Sequence, residues 1–190
     1  MKPRLLQWLT VFATLGTMAE GAAAAPAPQV EFRTSMGNFT VELYPDKAPI
    51  TVENFLRYVD DGFYAGTIFH RVIADFMIQG GGMAADMSEK PNKRPPITLE
   101  SRNGLRNDAG WLAMARTGDP NSATSQFFIN TVNNASLNHP QPDGNGYAVF
   151  GKVIEGMETV EKIRRVKTRS AFPHRDVPAE TVLIESAKRR

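Results

Sequence analysis

The apolar residues of this chain arrive in short runs, each closed off by Gly, Pro, Asn or Asp: Thr67–Ile73, Phe76–Gly80, Ile97–Leu99, Trp111–Ala115, Gln126–Asn130 and Ala148–Ile154. Runs of about five residues have the length of β-strands and are too short for helices of ~10 or more. Their turn-rich spacing points to an antiparallel sandwich or barrel rather than to βαβ units. A hairpin opens the set. Val30-Glu31-Phe32-Arg33 and Phe39-Thr40-Val41-Glu42-Leu43 alternate apolar with polar residues, and Ser35-Met36-Gly37-Asn38 between them supplies the turn. Thr181–Glu185 reads as the last strand.

Two segments follow the helical period instead. Val52, Phe55, Leu56 and Val59 fall on one face behind Pro49, with Gly62 as a stop. Met157, Val160 and Ile163 do the same, with Lys162, Arg164 and Arg165 outside. Met83–Pro96 and Arg116–Thr124 are longer than ordinary connections and are candidate binding loops. The sequence contains no internal repeat.

At 190 residues the chain is expected to build one core, since chains usually divide only beyond roughly 250. The absence of cysteine excludes disulfides, Cys-ligated zinc and thiol nucleophiles. A net charge of +2 without a long basic run argues against nucleic-acid binding. Residues 1–25 read as a secretory signal peptide: Lys2 and Arg4 make the charged start, Leu5–Ala19 is mostly apolar, and Ala22–Ala25 offers a cleavage site near Ala24 or Ala25. The apolar part is shorter than the ~20 residues of a membrane span, so no stable membrane insertion is expected after cleavage. Residues 26–29 form a proline-rich spacer and 30–190 the domain. The reading places the mature protein in the periplasm or outside the cell.

Few side chains offer reaction chemistry. Of the three histidines, His139 and His174 lie in Pro-containing segments without metal-ligand spacing, and no metal site is expected. His70 beside Arg71 could serve as a base, but no serine stands in a nucleophile motif, and a histidine hydrogen-bonded inside the sheet is the simpler reading. Gln79-Gly80-Gly81-Gly82 lacks the Lys-Ser or Lys-Thr of a phosphate loop. Asp60-Asp61 sits at a helix end as solvated charge. Arg71 differs, because it is a cation inside an apolar run. Strict alternation would place it on one face with Phe69 and Ile73, and Phe76, Met77, Gln79, Gln126 and Phe128 converge there if their strands are neighbours. An apolar hollow with one guanidinium and amide groups on its rim suits a peptide carrying a small apolar ring. Proline fits that description.

Phe69-His70-Arg71-Val72-Ile73 with Phe76-Met77-Ile78-Gln79-Gly80-Gly81, Gly110–Arg116 leading to Ser125–Asn130, and Val149-Phe150-Gly151-Lys152-Val153 together resemble the cyclophilin-type peptidyl-prolyl cis-trans isomerases. The resemblance runs from about Val30 to Ala187, and Asn103–Asn107 with Ala115-Arg116-Thr117 look most like the bacterial exported branch. It implies an all-β dominated fold, an eight-stranded antiparallel closed β-barrel capped by two α-helices. It also implies a catalytic Arg71, a proline pocket of Phe76, Met77, Phe128 and Leu137, and peptide-holding positions at Gln79, Ala115, Arg116 and Gln126. Two positions depart from the family's pattern. Ser136 stands where Trp or Phe is common, which weakens the expected affinity for cyclosporin, and Tyr147 replaces a pocket-wall histidine.

The resemblance implies catalysis without a cofactor, by a monomer, on proline-containing polypeptides and unfolded exported proteins. A barrel that only captures proline segments is the competing reading, and intact Arg71 and Gln79 argue against it. A holdase-like chaperone is a third, compatible with the enzyme.

Overall fold

Period-two alternation does most of the building. The computed structural model describes residues 26–190, and the signal peptide expected over residues 1–25 lies outside the described residues. Gln29–Thr34 (β1) and Gly37–Leu43 (β2) form the opening hairpin, with Phe32 opposite Phe39. Gln29, assigned to the spacer by sequence, is already in β1. Thr67–Ile73 (β3), Met77–Ala84 (β4), Trp111–Met114 (β5), Phe127–Asn130 (β6) and Val149–Glu155 (β7) follow. Thr168–Ala171 (β8) and His174–Pro178 (β9) make a separate hairpin, and Leu183–Arg189 (β10) returns to the barrel. The order β1-β10-β3-β4-β6-β5-β7-β2 closes on itself, with antiparallel pairing throughout. This is the eight-stranded barrel capped by two helices that the resemblance implied.

The barrel interior is filled by aromatic rings. Phe32 stacks on Phe39 with centroids 4.8 Å apart, and Phe127 meets Tyr64 edge to face at 5.5 Å. Such packing leaves no channel for a ligand, so any site must lie outside the barrel wall. The first helix, Pro49–Asp60 (α1), buries Val52, Phe55, Leu56 and Val59 as its period predicts, and Phe55 joins the ring cluster. Its N-cap, Ala48, has no side chain that can cap. Glu100 does so from the loop, accepting from the Ile50 and Thr51 N–H groups at 3.1 and 2.8 Å. Gly62, at φ +65°, lets the chain leave the helix. Met157–Arg164 (α2) buries Val160 and Ile163.

Three sequence readings are corrected. Ile97–Leu99 is not a strand: only Ile97 bridges to Ala123, because Pro95 and Pro96 precede it and the Leu99 N–H goes to the Asn121 side chain. The last strand begins at Leu183 and reaches Arg189; Ile184 and Ala187 are its buried residues, and the charges of Lys188 and Arg189 hide the alternation beyond Glu185. β4 runs through Gly80–Gly82, whose missing side chains carry no pattern.

Candidate active site

Arg71 owes its direction to one inserted residue. On β3, Phe69 pairs with Gly80 and Arg71 with Gln79, so two steps on β3 meet one on β4 and His70 is the bulge. A bulge breaks the alternation. Phe69 and Val72 therefore both enter the barrel core, whereas Ile73 joins a second apolar cluster outside it. Arg71 emerges on that outer side, and the shared face with Phe69 expected from strict alternation is overturned.

Strand register then aligns the site. Arg71 sits opposite Gln79, Gln79 opposite Phe128, and Phe128 opposite Ala113, a single row across β3, β4, β6 and β5. With strands ~4.8 Å apart, the row brings an arginine side chain within reach of an aromatic two strands away. Met77, Phe128 and Leu137 are buried here, with Phe76, Ala115 and Tyr147 packed against them. Between them and Arg71, Gln79 and Arg116 lies a cavity of about 110 Å³. At ~30 Å³ per water it holds about four waters, the space of one small ring and not of a large ligand.

Nine of the ten residues singled out in the sequence line this cavity. Gln126, the tenth, joins through its side chain: Gln79 Nε2 donates to Gln126 Oε1 at 2.9 Å. Arg71 Nη1 donates a long bond, 3.5 Å, to Gln79 Oε1, and among the described residues it makes no ion pair. Arg116 is different. Its guanidinium is 1% exposed, held by both Asp143 oxygens at 2.8 Å and by the Gly146 carbonyl, and it lies 4.6 Å from the centre of the Tyr147 ring. Tyr147 in turn meets Phe128 edge on at 5.6 Å. The Arg116 side chain is thus part of the wall. A wider depression of about 430 Å³ near Lys47 and Asn121 is open and polar, and its Glu100 is already committed to α1.

His70 is 6% exposed and hydrogen-bonds the Ile68 backbone, as the sequence reading of a histidine bonded inside the sheet expects, while its Nδ1 has no partner. Burial, reinforced by His174 and Arg71 nearby, pushes its pKa down to about 4. A neutral ring therefore stands behind Arg71 and adds no competing charge.

The family comparison now decides the class. A family model for cyclophilin-type peptidyl-prolyl cis-trans isomerases matches residues 29–189. The chain belongs to this family. It is 58% identical over 161 residues to a peptidyl-prolyl cis-trans isomerase of Streptomyces antibioticus, covering 84% of this chain and 96% of that one. It is 48% identical over 188 residues to peptidyl-prolyl cis-trans isomerase A of Dickeya dadantii, covering 99% and 98%. A cyclophilin-type isomerase of Cryptosporidium parvum, crystallised in the presence of the dipeptide Ala-Pro, superimposes with a TM-score of 0.71 at 28% identity, over 85% of this chain and 98% of that one. The protein is a peptidyl-prolyl cis-trans isomerase and acts on Xaa-Pro bonds.

Sequence reasoning missed the asparagines beneath the cyclophilin pocket. Asn134 Nδ2 donates to the Phe76 carbonyl at 2.7 Å and to Asn130 Oδ1 at 2.8 Å. Asn130 Nδ2 donates to Asn107 Oδ1, and Asn107 Nδ2 to the Leu137 carbonyl, both at 3.2 Å. The chain of amides joins two pocket walls from below. Asparagine in a turn-rich sequence reads as a loop residue, and only the burial of all three distinguishes these.

Proposed function

We propose that Arg71 is the catalytic residue and that it donates a hydrogen bond to the prolyl nitrogen while the proline ring occupies the hollow between Met77, Phe128 and Leu137. One observation carries this: the guanidinium lines the same cavity as Met77, Phe128 and Leu137, with an amide, not a carboxylate, as its partner. Rotation about the peptide bond faces a barrier of ~18–20 kcal/mol because the nitrogen lone pair is delocalised. Twisting returns that lone pair to nitrogen, so a donor there binds the transition state more strongly than either planar isomer. A charge-assisted bond contributes roughly 1.5–3 kcal/mol, about one to two decades of rate. Reaching ordinary turnover from ~0.01 per second takes about three to five decades. The remainder comes from moving the polar amide into an apolar site and from holding one side of the bond, through Gln79 and the Arg116 backbone, as the other rotates.

Arg71→Ala tests the assignment. We expect kcat/KM on an Ala-Pro peptide to fall at least tenfold, with an unchanged circular dichroism spectrum. Normal turnover by the folded variant overturns it.

We further propose that the enzyme serves the folding of exported proteins, in the periplasm or outside the cell, in the manner of the bacterial exported branch. The support is the charged start, apolar middle and small-residue end of residues 1–25. N-terminal sequencing of the protein recovered from an envelope fraction should begin near Pro26, and an intact Met1 would refute export by cleavage. Cyclosporin should bind, though weakly, because exposed Ser136 leaves the rim beside Leu137 without an aromatic. Inhibition of Ser136→Trp at lower cyclosporin concentration would support this, and equal inhibition of both proteins would not.

A further inference from the structure

Gly82 lies in β4 beyond Gln79, and its φ is outside the left-handed region, so the strand itself does not require glycine there. Gly81, its neighbour, is at φ +81° and does require it. What Gly82 lacks is a methyl group that its surroundings could not admit. A Cβ at this position would lie far inside contact with Gln126 Cγ, 2.7 Å from Cδ and 2.8 Å from Nε2. All three nearest atoms belong to the Gln126 side chain, so the space is needed by that residue.

The seating of Gln126 has a consequence at Arg71. In this position Gln126 Oε1 accepts the Gln79 Nε2–H bond at 2.9 Å. An amide has one donor end and one acceptor end. Donating to Gln126 therefore turns Gln79 Oε1 toward Arg71 Nη1, 3.5 Å away. Were Gln126 displaced, the Gln79 amide could reverse and present its NH₂ to the guanidinium, donor against donor.

We infer that Gly82 is a positioning residue of the isomerase: its bare Cα seats Gln126, Gln126 orients the Gln79 amide, and Gln79 holds the Arg71 guanidinium over the proline cavity. This rests on the assignment of Arg71 as catalytic. Gly82→Ala should lower kcat/KM roughly tenfold, with the fall in kcat exceeding the rise in KM, since Met77, Phe128 and Leu137 keep their places while Gln79 and Gln126 shift.

A double-mutant cycle separates this chain of contacts from a general strand effect. Gln126→Ala removes the side chain that the methyl would strike, so Gly82→Ala/Gln126→Ala should be no slower than Gln126→Ala alone. The Arg71 Nε–H resonance should shift in Gly82→Ala and be the same in Gln126→Ala and the double variant. Multiplying losses, or full activity in Gly82→Ala, overturns the inference. If Gly82→Ala does not fold, a folded double variant as active as Gln126→Ala supports the inference, and an unfolded double variant overturns it. Arg71→Ala run alongside distinguishes the two failures. Full activity there removes the catalytic assignment, whereas an inactive Arg71→Ala with a fully active Gly82→Ala removes only the role of Gly82.

Discussion

The Arg116 guanidinium lies over the Tyr147 ring, 4.6 Å from its centre, and both residues line the cavity that Arg71 borders. Each is held in turn, Tyr147 by packing on Phe128 and Arg116 by its bonds to Asp143 and Gly146. Asp143 is the exposed end of this arrangement, and its hydrogen bond from Arg116 holds its carboxyl below the usual aspartate range. Asp143→Ala should loosen the wall and raise KM about fivefold while kcat changes less than about twofold. Steady-state kinetics on an Ala-Pro peptide checks this, and a loss confined to kcat would contradict it.

Arg71→Lys keeps the charge and removes the planar fork. A point charge on a flexible stem cannot both hold Gln79 Oε1 and reach a prolyl nitrogen from the same strand position. We expect a loss of at least about tenfold in kcat/KM, close to that of Arg71→Ala. A lysine variant retaining most activity would mean that charge alone suffices.

Much of the barrel could be read from the chain because alternation and helical period are local properties. The β1–β2 hairpin, the Thr67–Ile73 strand and the buried face of α1 all follow from side chains a few residues apart. The site residues were reached mainly through the family resemblance, and the register explains why they meet. The bulge at His70 left no trace, since one inserted residue changes neither composition nor length, yet it decides which way Arg71 points. β8 and β9 were missed because Thr168–Ala171 and His174–Pro178 carry charges and prolines where strands usually alternate. The cap on α1 was hidden for another reason: Glu100 is some fifty residues away from the N–H groups it accepts.

Asn134 should matter more than its place in a loop suggests. Its Nδ2 donates to the Phe76 carbonyl and to Asn130 Oδ1, and the residue is 7% exposed. Asn134→Ala leaves Asn130 Oδ1 unpaired and the Phe76 carbonyl with the Thr131 N–H alone, at a cost of about 1–3 kcal/mol. Urea unfolding should show that loss. Activity measured well below the midpoint should show a raised KM, because Phe76 and Leu137 are no longer tied through the same amides. An unchanged midpoint would mean that water replaces the amide without penalty.

Stability should fall with acid before most carboxylates titrate, and His70 is the cause. Its pKa is about 4 in the folded protein against an ordinary 6.5, so the unfolded chain binds a proton that the native state refuses between those values. The sign follows from linkage: stability is full above pH ~6.5 and declines as pH falls toward 4, by about 3 kcal/mol. His174 and Arg71, the charged and titratable neighbours, work in the same direction by opposing a cation at this position, and only the Ile68 carbonyl favours one. Denaturant unfolding at a series of pH values from 7.5 to 4.5 would measure the slope. His70→Phe, which fills a site whose Nδ1 has no partner, should flatten it. A wild-type curve with the same slope as His70→Phe would show that the acid sensitivity arises elsewhere.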